Sequence, residues 1–198
     1  LFTQGCGFRQ CSYENLWKLD NFKPQTDNKA KFRACQNSDT INVSELYNSE
    51  LNNLYKPSME RCPAEFKEPF MNGLYSAYKN RYVMENKNGI IAYMSITTSD
   101  NNNFIINLSL ANGYNFDYDE IINFAINEIS TKSKKFYAFI KQRQYTKTSD
   151  RFEQYLHQRN LDCIQTQCVF VKDFYRPIKD NESIIKVFSF NENRILTN

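Results

Sequence analysis

Apolar and polar positions alternate in blocks along the chain, and turn residues mark the block boundaries. Residues 23–30 (KPQTDNKA) are polar, carry a proline and lack periodicity, which makes them a linker. Lys31 to Gln36 (KFRACQ) predicts a short strand. Ser38 or Asp39 can cap a helix running to about Tyr55, with Val43, Leu46, Tyr47, Leu51 and Leu54 along one face. Pro57 ends it. Pro63 to Leu74 predicts a second helical stretch with Phe66, Phe70 and Leu74 on one side, and Pro69 forces a break within it.

Three strands follow. Arg81–Glu85 and Ile90–Thr98 flank Asn88-Gly89, the strongest short hairpin signal. Ser99–Asn102 turns the chain into Phe104–Leu110. A helix is predicted from Asp117 to Ser130, with Ile121, Ile122, Ala125, Ile126 and Ile129 as its apolar stripe. Asp117 and Glu120 have the spacing of a capping box. Phe136–Ile140 is a strand, Asp150–Arg159 a helix and Cys163–Val171 a long final strand. A strand–helix–strand passage late in the chain implies a parallel crossover. The predicted class is therefore α/β, a mixed sheet of about six to seven strands flanked by about four helices. In the extension 175–198, Ser183 to Phe190 alternates enough for one more strand, with a partly ordered tail as the alternative.

The two ends of this pattern resemble each other. Residues 7–24 (GFRQCSYENLWKLDNFKP) align with 160–177 (NLDCIQTQCVFVKDFYRP). Phe8 meets Leu161, Leu16 meets Val169, Trp17 meets Phe170 and Pro24 meets Pro177. The copies lie about one domain length apart. Residues 1–22 are then expected to be the terminal strand of a preceding copy, and 31–174 the domain proper. The chain starts at Leu1 rather than Met, so a fragment or a trimmed chain is expected, and the repeat makes it the C-terminal half of a tandem protein.

Composition narrows the partners. Over 198 residues, 41% hydrophobic and 24% charged content permits a core. Lys+Arg is 25 against Asp+Glu 22, a net +3, which argues against a dedicated nucleic-acid binder. No run approaches the roughly 18 apolar residues of a membrane span. Six cysteines form no C-x-x-C and the one histidine is His157, so no metal site is expected. Free thiols fit a reducing cytoplasm. There are five glycines, where average usage gives roughly 14. A glycine-rich phosphate cradle is poorly supplied.

The element order over 31–174 resembles the GNAT (N-acetyltransferase-like) superfamily of acyl-CoA transferases. GIIAYMSI (89–96) looks like its hydrophobic strand after the first hairpin. FIINLSLANGY (104–114) and DEIINFAINEI (119–129) look like its central strand and cofactor helix. RFEQYLHQRNLDCIQTQCVFVKD (151–173) looks like its last helix, Gly-Phe turn and final strand, and Gly7-Phe8 keeps that turn near the N-terminus.

The resemblance implies acetyl-CoA as cofactor and a small amine or peptide as acceptor. It also implies a pantetheine arm paired with the end of the central strand, so Leu108, Leu110, Asn112, Gly113 and Tyr114 are the candidate cofactor residues. The family's pyrophosphate loop is usually written Arg/Gln-x-x-Gly-x-Gly/Ala. Here NGYNFDYDEII (112–122) offers Gly113 alone, placed early, and no Arg or Lys before Ile129. Asp117, Asp119 and Glu120 fill the first helical turn. They stabilise a helix start and also repel a pyrophosphate there. A paired-carboxylate catalytic role for Asp117 and Asp119 is the sharper alternative.

The family's general-acid tyrosine maps to Leu156, with Tyr155 next to it but turned by about 100°. Tyr155 is expected to pack in the core and His157 to be exposed. Asn160-Leu161 stands where Gly-Phe does, and Asn160 can take the left-handed cap. Glu85 is a candidate base through water, against a solvated strand position. Tyr155 and Glu85 are thus the catalytic candidates.

Three functions follow. The first is a degenerate domain with a structural or acceptor-cleft role beside an active N-terminal copy or a second protomer. The second is an active N-acetyltransferase with an atypical CoA loop. The third is a non-catalytic binding module.

Overall fold

A computed structural model of the chain describes residues 5–24, 30–68 and 78–172. Seven strands form one sheet in the order β2-β3-β4-β5-β6-β1-β7. They are β1 (Phe8–Lys18), β2 (Phe32–Ala34), β3 (Tyr78–Asn86), β4 (Gly89–Thr98), β5 (Asn103–Leu110), β6 (Tyr137–Arg143) and β7 (Cys163–Lys172). The described helices are α1 (Thr40–Glu50), the short α2 (Lys56–Met59), α3 (Tyr118–Ser130) and α4 (Ser149–Gln158). The α/β class and the mixed sheet agree with the pattern analysis. Only β5 and β6 run parallel, joined through α3.

The segment expected to close a preceding copy is built into this sheet. β1 lies between β6 and β7 and pairs antiparallel with both. Trp17 is 1% exposed in the core, so the folded unit includes Phe8–Lys18 as well as the 31–174 block. Most of the predicted 23–30 linker, the stretch containing Pro69, Phe70 and Leu74, and the extension beyond Lys172 lie outside the described residues.

Two apolar layers hold the sheet. On one face, Ile121, Ile122, Ala125, Ile126 and Ile129 of α3 and Phe152 and Leu156 of α4 pack on Met94, Ile96, Phe104, Ile106 and Ile140. On the other, Val43, Leu46 and Tyr47 of α1 pack with Leu51, Phe66, Val83, Tyr93 and Tyr145. The Asp117 side chain accepts from the Glu120 backbone N–H at 3.2 Å, the expected cap. Asn160 takes φ 51, the left-handed cap.

Three boundaries move for physical reasons. The first helix stops at Glu50 rather than near Tyr55, because its end is tied to the loop after β6. Lys147 N–H donates to Glu50 O at 2.8 Å, Asn52 N–H donates to Tyr145 O at 3.1 Å, and Leu51 is extended and bridges Thr146. Leu54, expected on the buried face, is therefore 81% exposed. Pro57 opens the short α2 instead of terminating α1. The hairpin turns at Lys87-Asn88, with Asn86 and Gly89 as its closing pair. Among the described residues no helix is long and apolar enough to cross a membrane, and no group of three or more His, Cys, Asp or Glu could hold a metal ion.

Candidate functional site

The two parallel central strands part at their C-terminal ends. Their pairing ends at Asn107 opposite Lys141, while β5 continues to Leu110 and β6 to Arg143. Parted this way, the last residues of β5 turn backbone groups into the gap, and those groups need partners. A buried ion pair supplies them. Arg143 Nη2 donates to Leu108 O at 2.7 Å, to Ser109 Oγ at 2.9 Å and to Glu50 Oε2 at 2.7 Å. Glu50 Oε1 accepts from Leu110 N–H at 3.2 Å. α1 delivers Glu50 from one side and β6 delivers Arg143 from the other.

The pair sits deep. Glu50 is 3% and Arg143 9% exposed. Burial pushes the Glu50 carboxyl up, and the Arg143 guanidinium and the Leu110 N–H pull against that. Burial works to lower Arg143, but Glu50 and the flanking tyrosines hold it above the usual arginine range. The guanidinium also lies 4.7 Å from the Tyr47 ring centroid. The cavity left around Glu50, Leu108, Leu110 and Phe152 measures about 20 Å³. That is room for little more than one water.

This bears directly on the cofactor. Leu108 O and Leu110 N–H lie on the strand end where the family resemblance places a pantetheine arm, and both are engaged from within the chain. Leu108 and Leu110 side chains are themselves in the core. Asn112 and Gly113 are exposed in the following turn. Gly113 has φ 89, yet a Cβ built on it meets nothing within 4 Å. Its glycine serves the turn and makes no close approach to another group. Tyr114 is 37% exposed and accepts from Asn86 Nδ2 at 3.0 Å. The residues present do not fit an acyl-CoA in this gap.

The α3 N-terminus is more nearly neutral than the sequence implies. Asp119 is bound by Arg159 from the end of α4, and its Oδ1 accepts the Tyr155 hydroxyl at 2.6 Å. Arg151 of α4 bonds the Asn115 side chain in the loop before α3. The stretch 112–129 has no cation of its own, and α4 brings two beside it. Burial, with the Asp117 charge, pushes the Tyr155 phenol far up. Its ring packs on Tyr118 and Phe152. Leu156, at the family's tyrosine position, is fully buried, and His157 is exposed with its ring edge-on to Trp17 at 4.9 Å.

Glu85 stands apart from the gap. It is exposed on β3 and bound by Arg33, which also chelates Asp39 at 2.7 and 3.0 Å. A carboxylate so engaged is a strut between β2 and β3. The structure thus gathers Leu108 and Leu110 at the gap and leaves Glu85 and Tyr155 elsewhere.

The residues that dominate the site, Glu50 and Arg143, escaped the pattern analysis. One signal was available. Glu50 falls four residues after Leu46 and three after Tyr47, inside the apolar stripe of its helix, where an unpaired carboxylate is costly.

No family model matches the sequence, and no curated protein matches it. Solved structures do. A GNAT-family acetyltransferase from Novosphingobium aromaticivorans, itself described as putative, superposes with a TM-score of 0.51 at 10% identity, covering 85% of this chain and 69% of that one. A tandem GNAT protein of the clavulanic acid biosynthesis pathway gives 0.47 at 10% identity, over 85% and 56%. A GCN5-related N-acetyltransferase from Anabaena variabilis gives 0.46 at 12%, over 84% and 42%. The chain thus spans about half the length of the latter two. The first of these superpositions shows that the chain has a GNAT-like fold.

Proposed function

We propose that this domain is a GNAT-fold module that does not carry acyl transfer and works beside an active copy, as a structural partner or a wall of its acceptor cleft. The observation that supports this is the Glu50–Arg143 pair. It engages Leu108 O and Leu110 N–H, the main-chain groups an acyl-CoA arm would need, and fills the space between the parted strands. Opening that gap for a ligand means separating two buried charges, and an uncompensated buried ion costs about 3–5 kcal/mol.

The neighbour is an N-terminal GNAT-like copy of the same protein or a second protomer. The β1–β7 ribbon supports such a contact. Phe8, Tyr13, Ile164 and Phe170 expose 37%, 44%, 49% and 43% of their surfaces along it. Exposed apolar groups gathered on one ribbon mark an interaction surface.

Calorimetric titration of the chain with acetyl-CoA and with CoA tests the reading. No binding at micromolar concentration is expected. Micromolar binding that weakens in Gly113→Trp would overturn it in favour of an N-acetyltransferase with an atypical loop.

A further inference from the structure

The α1 face of the sheet carries a separate cavity of about 190 Å³. Arg143 and Leu108 line both this cavity and the small one in the strand gap, so they form a shared wall between the two. Its floor is a row of short polar side chains on β4 and β5, among them Ser95, Thr97 and Asn107. Its sides are aromatic, with Phe66 edge-on to Tyr93 at 5.8 Å.

Charge is what sets it apart. Arg61 and Lys79 line the cavity with Arg143. One carboxylate, Glu65, lines the cavity with these three cations, and the carboxylates in and around it have partners of their own. Glu50 holds Arg143 at 2.7 Å, Glu68 holds Arg81 at 3.2 Å, and Glu65 accepts from the Cys62 backbone N–H at 3.0 Å. Arg61 lies over the Tyr47 ring at 5.0 Å. Among the described residues neither the Arg61 nor the Lys79 side chain makes an ion pair or a hydrogen bond. Burial, then the charge of Arg81, lowers the Lys79 ammonium from its ordinary value, with Glu68 pulling the other way.

We propose that this cavity binds a small organic carboxylate, with Arg61 and Lys79 taking the anion and the aromatic sides taking its apolar body. A guanidinium and an ammonium on one cavity suit a carboxylate through charge-assisted hydrogen bonds. Hydroxyls on the floor can complete the oxygen's partners. An alkylammonium would meet like charge. A cavity of roughly 150 Å³ holds benzene, so a ligand of benzoate size suits this one. The site does not depend on whether acyl-CoA binds in the strand gap.

The test is titration of the full chain with benzoate, benzamide, benzylamine and inorganic phosphate, read by calorimetry and by ligand-induced shift in melting temperature. Benzoate is expected to bind at one saturable site, benzamide at least tenfold more weakly and benzylamine not at all. Arg61→Gln and Lys79→Met should each weaken benzoate roughly tenfold, the size of one lost charged hydrogen bond, while the ligand-free melting temperature stays put. Four results would overturn the proposal. They are benzylamine binding as tightly as benzoate, phosphate binding as tightly as benzoate, benzoate binding unchanged in the double variant, and no saturable benzoate binding at millimolar concentration. Acetyl-CoA binding in a parallel titration would refute the non-catalytic reading and leave this one standing.

Discussion

Trp17 on β1 donates its indole N–H to Gln142 Oε1 on β6 at 3.0 Å. Both side chains are 1% exposed. Gln142 Oε1 also accepts from Asn15 Nδ2 at 3.3 Å, and its Nε2 donates to Ser149 O at 3.2 Å. One amide therefore ties β1, β6 and the start of α4 together.

That tie predicts two outcomes. Gln142→Leu leaves the Trp17 N–H buried without an acceptor and should cost about 1–3 kcal/mol. Trp17 is the chain's one tryptophan, so its fluorescence during urea unfolding reads the change directly. Removing residues 1–22 takes an interior strand from the sheet, and the remainder should show no cooperative transition. A soluble, cooperatively unfolding 23–198 fragment would show that β1 is dispensable.

The buried pair makes an asymmetric prediction. Glu50→Ala strands the Arg143 charge in the core and should cost about 3–5 kcal/mol. The double replacement Glu50→Met with Arg143→Leu removes both charges at similar volume and should recover most of that loss. Chemical denaturation of the two single and the double variants measures it. A double variant less stable than either single would mean that the pair contributes more than charge balance.

The non-catalytic reading proposed above allows two causes for an absence of acyl-CoA binding, and they can be separated at α3. If acids at its start were the cause, Asp119→Asn with Glu120→Gln would bring in acetyl-CoA. We expect no gain, because Arg159 already balances Asp119 and, on that reading, the occupied gap between β5 and β6 is what excludes the cofactor. Calorimetry on the double variant decides the matter, and micromolar binding would locate the cause in the carboxylates.

Acid should destabilise the fold through identifiable groups. Hydrogen bonds from Arg33 hold Asp39 below its ordinary 3.8. Burial pushes Glu14 up, but Lys141 at 2.9 Å and the Tyr145 hydroxyl at 2.7 Å hold it below 4.5 on balance. A depressed carboxyl contributes stability above its unfolded value, and that contribution is lost as pH falls through the folded one. Glu50 has the opposite sign, since its folded value is raised and its contribution is lost as pH rises. The urea midpoint should therefore fall below about pH 4.5, and Asp39→Asn should flatten that fall. An unchanged acid limb in Asp39→Asn would remove Asp39 from the account.

The strands and α3 were legible because their periodicity is strong. The stripe Ile121 to Ile129 and the β3–β4 hairpin, whose turn lies one residue before the Asn88-Gly89 signal, each specify local structure with little help from elsewhere. β6 was predicted to end at Ile140 because Lys141, Gln142 and Arg143 are polar. They stay in the strand because Glu14, Trp17 and Glu50, all distant in sequence, supply partners. Long-range pairing of polar groups leaves no periodic trace, so the centre of the site was hidden. The sparse glycine pointed to the 112–122 loop, whereas the Arg143 and Glu50 side chains that occupy the strand gap leave no trace in a composition count.

The placement of β1 has a cost in time. Residues 8–18 leave the ribosome before anything they pair with, and their partners span 139–172. The strand must wait, with Trp17 uncovered, while well over a hundred residues are made. Closure of so long a loop is slow. An apolar strand unpaired through synthesis is exposed to wrong partners. This domain should therefore lean on chaperones more than its size suggests, and the last step of its folding should be the insertion of its first strand.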